Sequence, residues 1–360
     1  MKYSSLDAQS VRRFCEDLFV KWGFPRHDSA GIADVLVTAD LFGIESHGVQ
    51  RLIRYYLAFE EGSIDPGAQQ RVVHDTPLSA VIDAPRTMGQ VVGRNAMELA
   101  IKKARESGAG IVTVRGSNHY GIAGYYTLMA AKADMLGISM TNTEAIMVPT
   151  FGKKAMLGTS PIAVCMPADP VPFWYDAATT VVTRGKLEVY NKRGASLPPG
   201  WASDEDGLAC VDPARILGNI VGKKGGGIFP LGGSDEETGS HKGYGLGVIV
   251  ELFTALFSGG TTSPHVMGSG NADTSFCFWA IDYGLFGDKN EIRGRVSALL
   301  QELRDSPKAD GQTRIYTHGE KEFESRSEKI KSGIPVNEKT LSEMRMISER
   351  AGIGFDAYFG

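Results

Sequence analysis

The chain has 360 residues, with 38 Lys+Arg against 42 Asp+Glu and 42% apolar residues. That length and near-neutral charge suffice for a large buried core and exclude disorder as the dominant state. Basic blocks and uninterrupted apolar runs of about 18 residues are missing, so neither a nucleic-acid surface nor a membrane span is expected.

Glycine is the outlier, with 44 residues scattered singly or in pairs among apolar segments, as turns and close backbone approaches require. The opening residues Met1 to Val11 carry no apolar signal segment, and a cytoplasmic protein is expected. Cys15, Cys165, Cys210 and Cys277 contain no CxxC pair, which suits reduced thiols rather than a disulfide framework or a zinc site.

The first 75 residues have a helical period. A helix capped by Ser5 carries Val11, Phe14, Cys15, Leu18 and Trp22 on one face and stops at Gly23. A second follows Asp28 or Ser29, with Ile32, Val35, Leu36 and Ala39 on one side. A third carries Val49, Leu52, Ile53 and Tyr56, which sets Ser46 and His47 at its start, where free N–H groups favour an anion.

From residue 78 strands and helices alternate. Strands are expected at 78–82, 111–114, 138–141, 161–166, 171–175 and 276–281, and helices at 97–104, 120–133, 244–258, 292–303 and 325–350. The stretch 186–213, rich in Gly, Pro and Asp, reads as a long surface excursion. The fold class is mixed α/β with a helical N-terminal layer, to which the charged C-terminal helices return.

Of seven histidines, His27, His74 and His265 sit in solvated contexts. The other four, His47, His119, His241 and His318, each lie against glycine. His119 carries most information, because it lies between the β-branched strand 111–114 and the next helix. Strand-to-helix corners at a sheet's C-terminal edge are where α/β proteins gather ligands, and an imidazole there can move a proton near neutral pH. A His satisfied by backbone at a helix start is the plain alternative.

Asp176 ends an aromatic strand before small residues. It fits either the orientation of a histidine or substrate, or the N-cap of the next helix. HxxxH and HExxH spacings are missing, so no metal is expected. GxGxxG and GxxxxGK[ST] are missing too, and a dinucleotide would have to bind by another route.

Several segments nevertheless resemble one family, the type-2 malate/L-lactate dehydrogenases. They are Asp40 to Val49 with Arg51 and Tyr55, Gly116 to Tyr126, Thr141 to Thr143, Leu157 to Ala163, Tyr175 to Thr179, Pro199 to Ala202, and His241 to Leu246. The family also contains ureidoglycolate, sulfolactate and diketogulonate oxidoreductases and imino-acid reductases. The resemblance implies a non-Rossmann, NAD(P)-dependent fold with a large mixed sheet, and a homodimer of three-part subunits. Those parts would be a helical domain of 1–75 with 310–360, an NAD(P)-binding α/β domain of 76–220, and 221–309 as a helical subdomain with a return strand.

By the same resemblance His119 and His47 are the acid/base candidates, with Asp176 beside them. Arg51 would hold the carboxylate of a 2-oxo acid, supported by Ser46, Tyr55 and Thr143. Asn142, Tyr175, Asp176, Ala177, His241, Lys242, Gly319 and Glu320 would meet NAD or NADP. Ser160 stands where the family usually has Asn, and His318 where it usually has Pro. The expected reaction passes a hydride between the nicotinamide and a small 2-hydroxy acid, malate or L-lactate first. Other carbonyl or imino acids, and a non-catalytic paralogue, are the alternatives.

Overall fold

A computed structural model describes residues 2–267 and 272–360. In chain order the strands are β1 (Tyr3–Leu6), β2 (Arg71–Asp75), β3 (Ser79–Asp83), β4 (Ala109–Ser117), β5 (Leu136–Thr141), β6 (Ile162–Met166), β7 (Phe173–Ala177), β8 (Ala202–Ser203), β9 (Gly227–Ile228), β10 (Thr274–Ile281) and β11 (Ile334–Asn337). The helices are α1 (Ala8–Lys21), α2 (Arg26–Leu41), α3 (Leu52–Glu60), α4 (Gly89–Ser107), α5 (Ala123–Lys132) and α6 (Arg184–Arg193). They continue with α7 (Pro213–Gly222), α8 (Ser240–Glu251), α9 (Lys289–Asp305), α10 (Glu320–Ser332), α11 (Glu338–Ala351) and α12 (Asp356–Phe359).

The centre is a seven-stranded mixed sheet of order β2-β3-β4-β10-β5-β6-β7. Among the strands of this sheet in the described residues, only β3 and β4 pair in parallel. In β10 the side chains alternate between two cores, as a strand buried on both faces requires. Phe276, Phe278 and Ala280 join α4, α5 and α2 in one core, while Cys277 packs with Met140 and Val250 on the other side. Since β4 and β5 both run antiparallel to β10 between them, they point the same way. β7 joins them through the antiparallel β6. The C-terminal ends of all three strands therefore meet at one edge of the sheet.

A second core gathers α1, α2 and α3 with the chain's end: Phe14, Leu18 and Leu52 are buried with Ile334, Met344, Ile347 and Phe355. Phe14 meets the rings of Phe355, Tyr358 and Phe359. A third, small core joins Ile146, Leu187, Ile216 and Ile228.

Several elements differ from the sequence reading. The cap of α1 is Asp7, whose carboxylate accepts from Ser10 N–H at 2.8 Å, while Ser5 belongs to β1, paired with β11. The stretch 186–213 is not bare surface chain, because α6 and β8 fold over the third core. The C-terminal helical stretch is two helices, α10 and α11, divided by β11. β2 escaped the sequence reading because every residue in it is exposed, so it has no alternation to detect. No helix of the described residues is long and apolar enough to cross a membrane.

Candidate active site

His119 follows β4, and its turn is held from three sides. Asn118 Nδ2 donates to Ser63 O at 2.9 Å and to Thr87 O at 3.0 Å. Gly121 turns the chain at φ +86°. Gly89 lets α4 reach this backbone, since a Cβ there would stand 2.2 Å from Asn118 O and 2.5 Å from His119 O. The imidazole is thus seated before any ligand arrives.

Ser46 and His47 do not open an α-helix, contrary to the sequence reading. They sit in a 3-10 turn, Glu45–His47, followed by a second, Val49–Arg51, and only then α3. The N–H groups expected to attract an anion are already engaged: His47 N–H bonds Ile44 O, and Val49 N–H donates to the buried Asp40 carboxylate at 2.8 Å. Gly48 is required here because a Cβ would meet Asp40 Oδ1 at 1.8 Å. The positive charge nearby comes instead from the side chains of Arg51 and Arg54.

The rings of His47 and His119 lie nearly parallel, with centroids 5.4 Å apart. Ser46 Oγ lies 2.8 Å from His47 Nδ1, and Tyr55 Oη lies 2.8 Å from His119 Nδ1. Arg51 Nε donates to Ser46 O at 2.5 Å, which fixes the guanidinium beside both rings. Burial, with Arg51 and Arg54 nearby, lowers His47 to about 3. His119 is pushed well below the ordinary imidazole value by burial, then by Arg54, His47 and Arg51. Both shifts favour neutral rings, and an anion beside the guanidiniums would remove only the smaller, charge-borne part of them.

Ser46, His47, Arg51, Arg54 and His119 line a cavity of about 410 Å³ with Thr141, Asn142, Thr143, Thr159, Arg184, Glu188 and Thr274 in its wall, whereas Tyr55, expected to support the substrate, is buried behind His119 and does not line it. Asn142 is turned inward: its Nδ2 donates to Thr261 O at 2.8 Å and its Oδ1 accepts from Ser275 N–H at 2.8 Å. Thr143 Oγ1 donates to Glu144 O at 3.2 Å and accepts from Thr159 N–H at 3.1 Å.

The remaining candidates lie elsewhere. Tyr175, Asp176, Ala177 and Gly319 line a second cleft of about 290 Å³ with Tyr316, His318, Lys321 and Glu322. Asp176 Oδ2 accepts from Gly124 N–H at 2.7 Å, so it satisfies the start of the earlier helix α5 rather than the next one. Burial raises it to about 6. Glu320 is buried at the first position of α10 and holds the turn that precedes it, accepting from Thr317 N–H at 2.5 Å and from Arg314 at 3.0 Å. His241 and Lys242 are exposed on the first turn of α8 and line neither cavity. One short segment joins the two clefts: Gly121 lines the first, and Gly124 is bonded by Asp176 of the second.

Sequence reasoning missed Arg54 and Arg184, both in the first cavity. Arg54 lies three residues after Arg51, a helical spacing that puts two cations on one face. Arg184 had no such signal, since the stretch just after it read as surface chain. Among the described residues no group of three or more His, Cys, Asp or Glu is placed to hold a metal ion.

The sequence profile described as malate/L-lactate dehydrogenase matches residues 6–345. The malate dehydrogenase of Pyrococcus abyssi is 42% identical over 98% of this chain and 96% of its own length. The L-sulfolactate dehydrogenase of Methanocaldococcus jannaschii is 37% identical over 98% and 99%. The crystal structure of malate dehydrogenase from Entamoeba histolytica superposes with a TM-score of 0.95 at 34% identity, covering 98% of this chain and 99% of that one. On sequence and fold together, the chain belongs to the malate/L-lactate dehydrogenase family.

Proposed function

We propose that the protein is an NAD(P)-dependent 2-hydroxy-acid dehydrogenase whose substrate carries two acid groups, as malate and sulfolactate do. The observation that carries this reading is the pairing of two neutral imidazoles with more than one guanidinium in a single cavity. A 2-oxo acid needs a cation for its carboxylate and a proton for the alkoxide formed on reduction. Arg51 supplies the first and His119 the second.

A second acid group calls for a second cation, and Arg54 is free for it. Arg184 is tied to Glu188 at 3.2 Å, whereas Arg51 and Arg54 form no ion pair among the described residues. Thr143 and Ser46 narrow the space around the reacting carbon. The two-acid relatives named above agree with this choice.

The second cleft suits a nucleotide. Tyr175 and Tyr316 offer aromatic faces, and Lys321, 4.6 Å from the Tyr316 ring centroid, offers a cation for phosphate. Tyr175, Ala177 and Gly319 would hold NAD or NADP there, and when bound it would supply or accept the hydride. This chain's residues keep the acid in place, exclude water and move one proton at His119 Nε2.

We also assign the protein as a homodimer. Val248, Ile249, Leu252, Leu256 and Phe257 form an exposed apolar stripe along α8 and the π-helical turn that extends it. A second copy placed on this stripe would bury it.

The test is steady-state kinetics with NADH and NADPH against oxaloacetate, 3-sulfopyruvate and pyruvate. Specificity for the two-acid substrates should exceed that for pyruvate by roughly tenfold or more, the scale of one added charge-assisted contact. Preference for pyruvate would remove Arg54 from substrate binding, and inactivity with all three would sink the reading.

A further inference from the structure

Gln90 is fully buried in the first turn of α4 and does not line the cavity. Its Nε2 donates to the Tyr55 hydroxyl at 2.8 Å, and that hydroxyl lies 2.8 Å from His119 Nδ1. Gly121 N–H also points at Nδ1, at 3.4 Å. A backbone N–H can only donate, so Nδ1 accepts and the neutral ring keeps its proton on Nε2. At the other end of the chain of bonds, Gln90 Oε1 is buried with no hydrogen-bond partner among the described residues. A buried acceptor left open is costly enough to call for a reason.

We propose that Gln90 is a positioning residue that decides, through Tyr55, which nitrogen of His119 carries the proton. The idea rests on His119 being the acid/base group named above.

The relay has two polarities. In the one just described, the amide donates to Tyr55, Tyr55 donates to Nδ1, and the ring offers Nε2–H to the cavity. To take a proton from a substrate hydroxyl, Nε2 must instead be bare, with the ring proton on Nδ1. Nδ1–H then donates to the Tyr55 oxygen, and the Tyr55 hydroxyl must find another acceptor. Tyr55 is 1% exposed, so water does not supply one. Rotation of the Gln90 amide brings its open oxygen into that place. In hydroxy-acid oxidation Nε2 gains the hydroxyl proton as the hydride leaves for the nicotinamide, and the imidazolium later loses one proton to solvent. Reduction runs the same steps backwards.

The charged and titratable groups around the ring are His47 and Arg51 on the 3-10 turns and Arg54 and Tyr55 on α3, with Glu144, Arg184 and Glu188 elsewhere in the wall of the shared cavity. The cations favour a neutral ring, so an acceptor behind Tyr55 is the one nearby device that favours the Nδ1–H form.

Two near-isosteric variants pull the relay in opposite directions. Gln90→Glu offers only acceptors when ionised, and should raise the His119 inflection in the pH profile of kcat/KM by about one unit. Gln90→Met offers neither donor nor acceptor and locks Tyr55 as a donor to Nδ1. It should lower that inflection and cut hydroxy-acid oxidation roughly tenfold, within the range of general-base effects. A role in packing alone would not move the two profiles apart.

Side-chain ¹⁵N spectra of the free full-length protein, with His119 assigned by His119→Asn, read the tautomer without any turnover. The wild type should be protonated at Nε2 and bare at Nδ1, and Gln90→Glu should carry the proton on Nδ1. If Gln90→Glu does not fold, the wild-type spectrum and the Gln90→Met profile still decide. An Nδ1–H ring in the wild type, or pH profiles unmoved in both variants, would overturn the relay. The expected spectra in a protein inactive with every hydroxy acid would uphold the relay and refute the dehydrogenase reading instead.

Discussion

The two clefts that share the turn from His119 to Gly124 differ in kind. The first holds two stacked imidazoles and three guanidiniums, of which Arg184 is paired with Glu188 while Arg51 and Arg54 form no ion pair among the described residues. The second is walled by Tyr175, Tyr316 and the edge of His318. Unpaired positive charge in a recess is costly in isolation and favourable when an anion arrives, whereas aromatic walls accept a flat ring without strong charge. On the proposed reading, the same sheet edge would offer one seat for a small acid and one for a nucleotide, divided by the segment that carries His119.

The largest expected effect separates the clefts most sharply. His119→Ala should lower turnover by about 10² or more while nicotinamide binding, measured by fluorescence titration, stays near wild type. Undiminished turnover would take His119 out of the chemistry. Arg51→Ala should raise the KM for oxaloacetate by roughly tenfold or more with a smaller change in kcat, as expected when substrate binding is lost. Arg54→Met should weaken two-acid substrates by a similar factor and leave pyruvate alone; equal losses for both would give Arg54 a general electrostatic role.

On the other side of the divide, Tyr175→Ala should raise the KM for the nicotinamide severalfold, in line with the worth of an aromatic contact, with the oxaloacetate KM unchanged. A change in the oxaloacetate KM alone would reverse the assignment of the clefts.

The smallest effect concerns stability against pH. His47 is held near 3 in the folded chain against about 6.5 unfolded. Its contribution is complete above the unfolded value and is lost as pH falls toward the folded one. Asp40, raised by burial to about 7 from about 3.9 unfolded, acts in the opposite sense: its contribution is present at low pH and is lost as pH rises toward 7. Melting curves of His47→Asn should therefore show a weaker loss of Tm from pH 6.5 downward. Asp40→Asn keeps an acceptor for Val49 N–H and should lose less Tm between pH 4 and 7. Parallel slopes in both variants would show that these groups do not titrate as described.

Much of this was legible in the chain, for identifiable reasons. Strand β4 announces itself through β-branched residues 111–114, and the corner at His119 follows from it. Strand β1 carries Ser4 and Ser5, too polar and too short to register, and it exists because β11 pairs with it. The approach of His47 to His119 joins segments far apart in sequence, and no local period encodes such a contact. Family resemblance brought those residues forward, while Arg184 and Gln90 emerged only when the chain was folded. The inward turn of the Asn142 amide was likewise invisible, since it depends on Thr261 and Ser275.

The central claim is that a two-acid substrate binds beside both imidazoles in the first cavity. A crystal structure with oxalate, a dianion that accepts no hydride here, tests it most directly. Oxalate should lie against Arg51 with an oxygen near His119 Nε2. Oxalate found only in the cleft of Tyr175 and Tyr316, or bound as well by Arg51→Ala as by the wild type, would contradict the account.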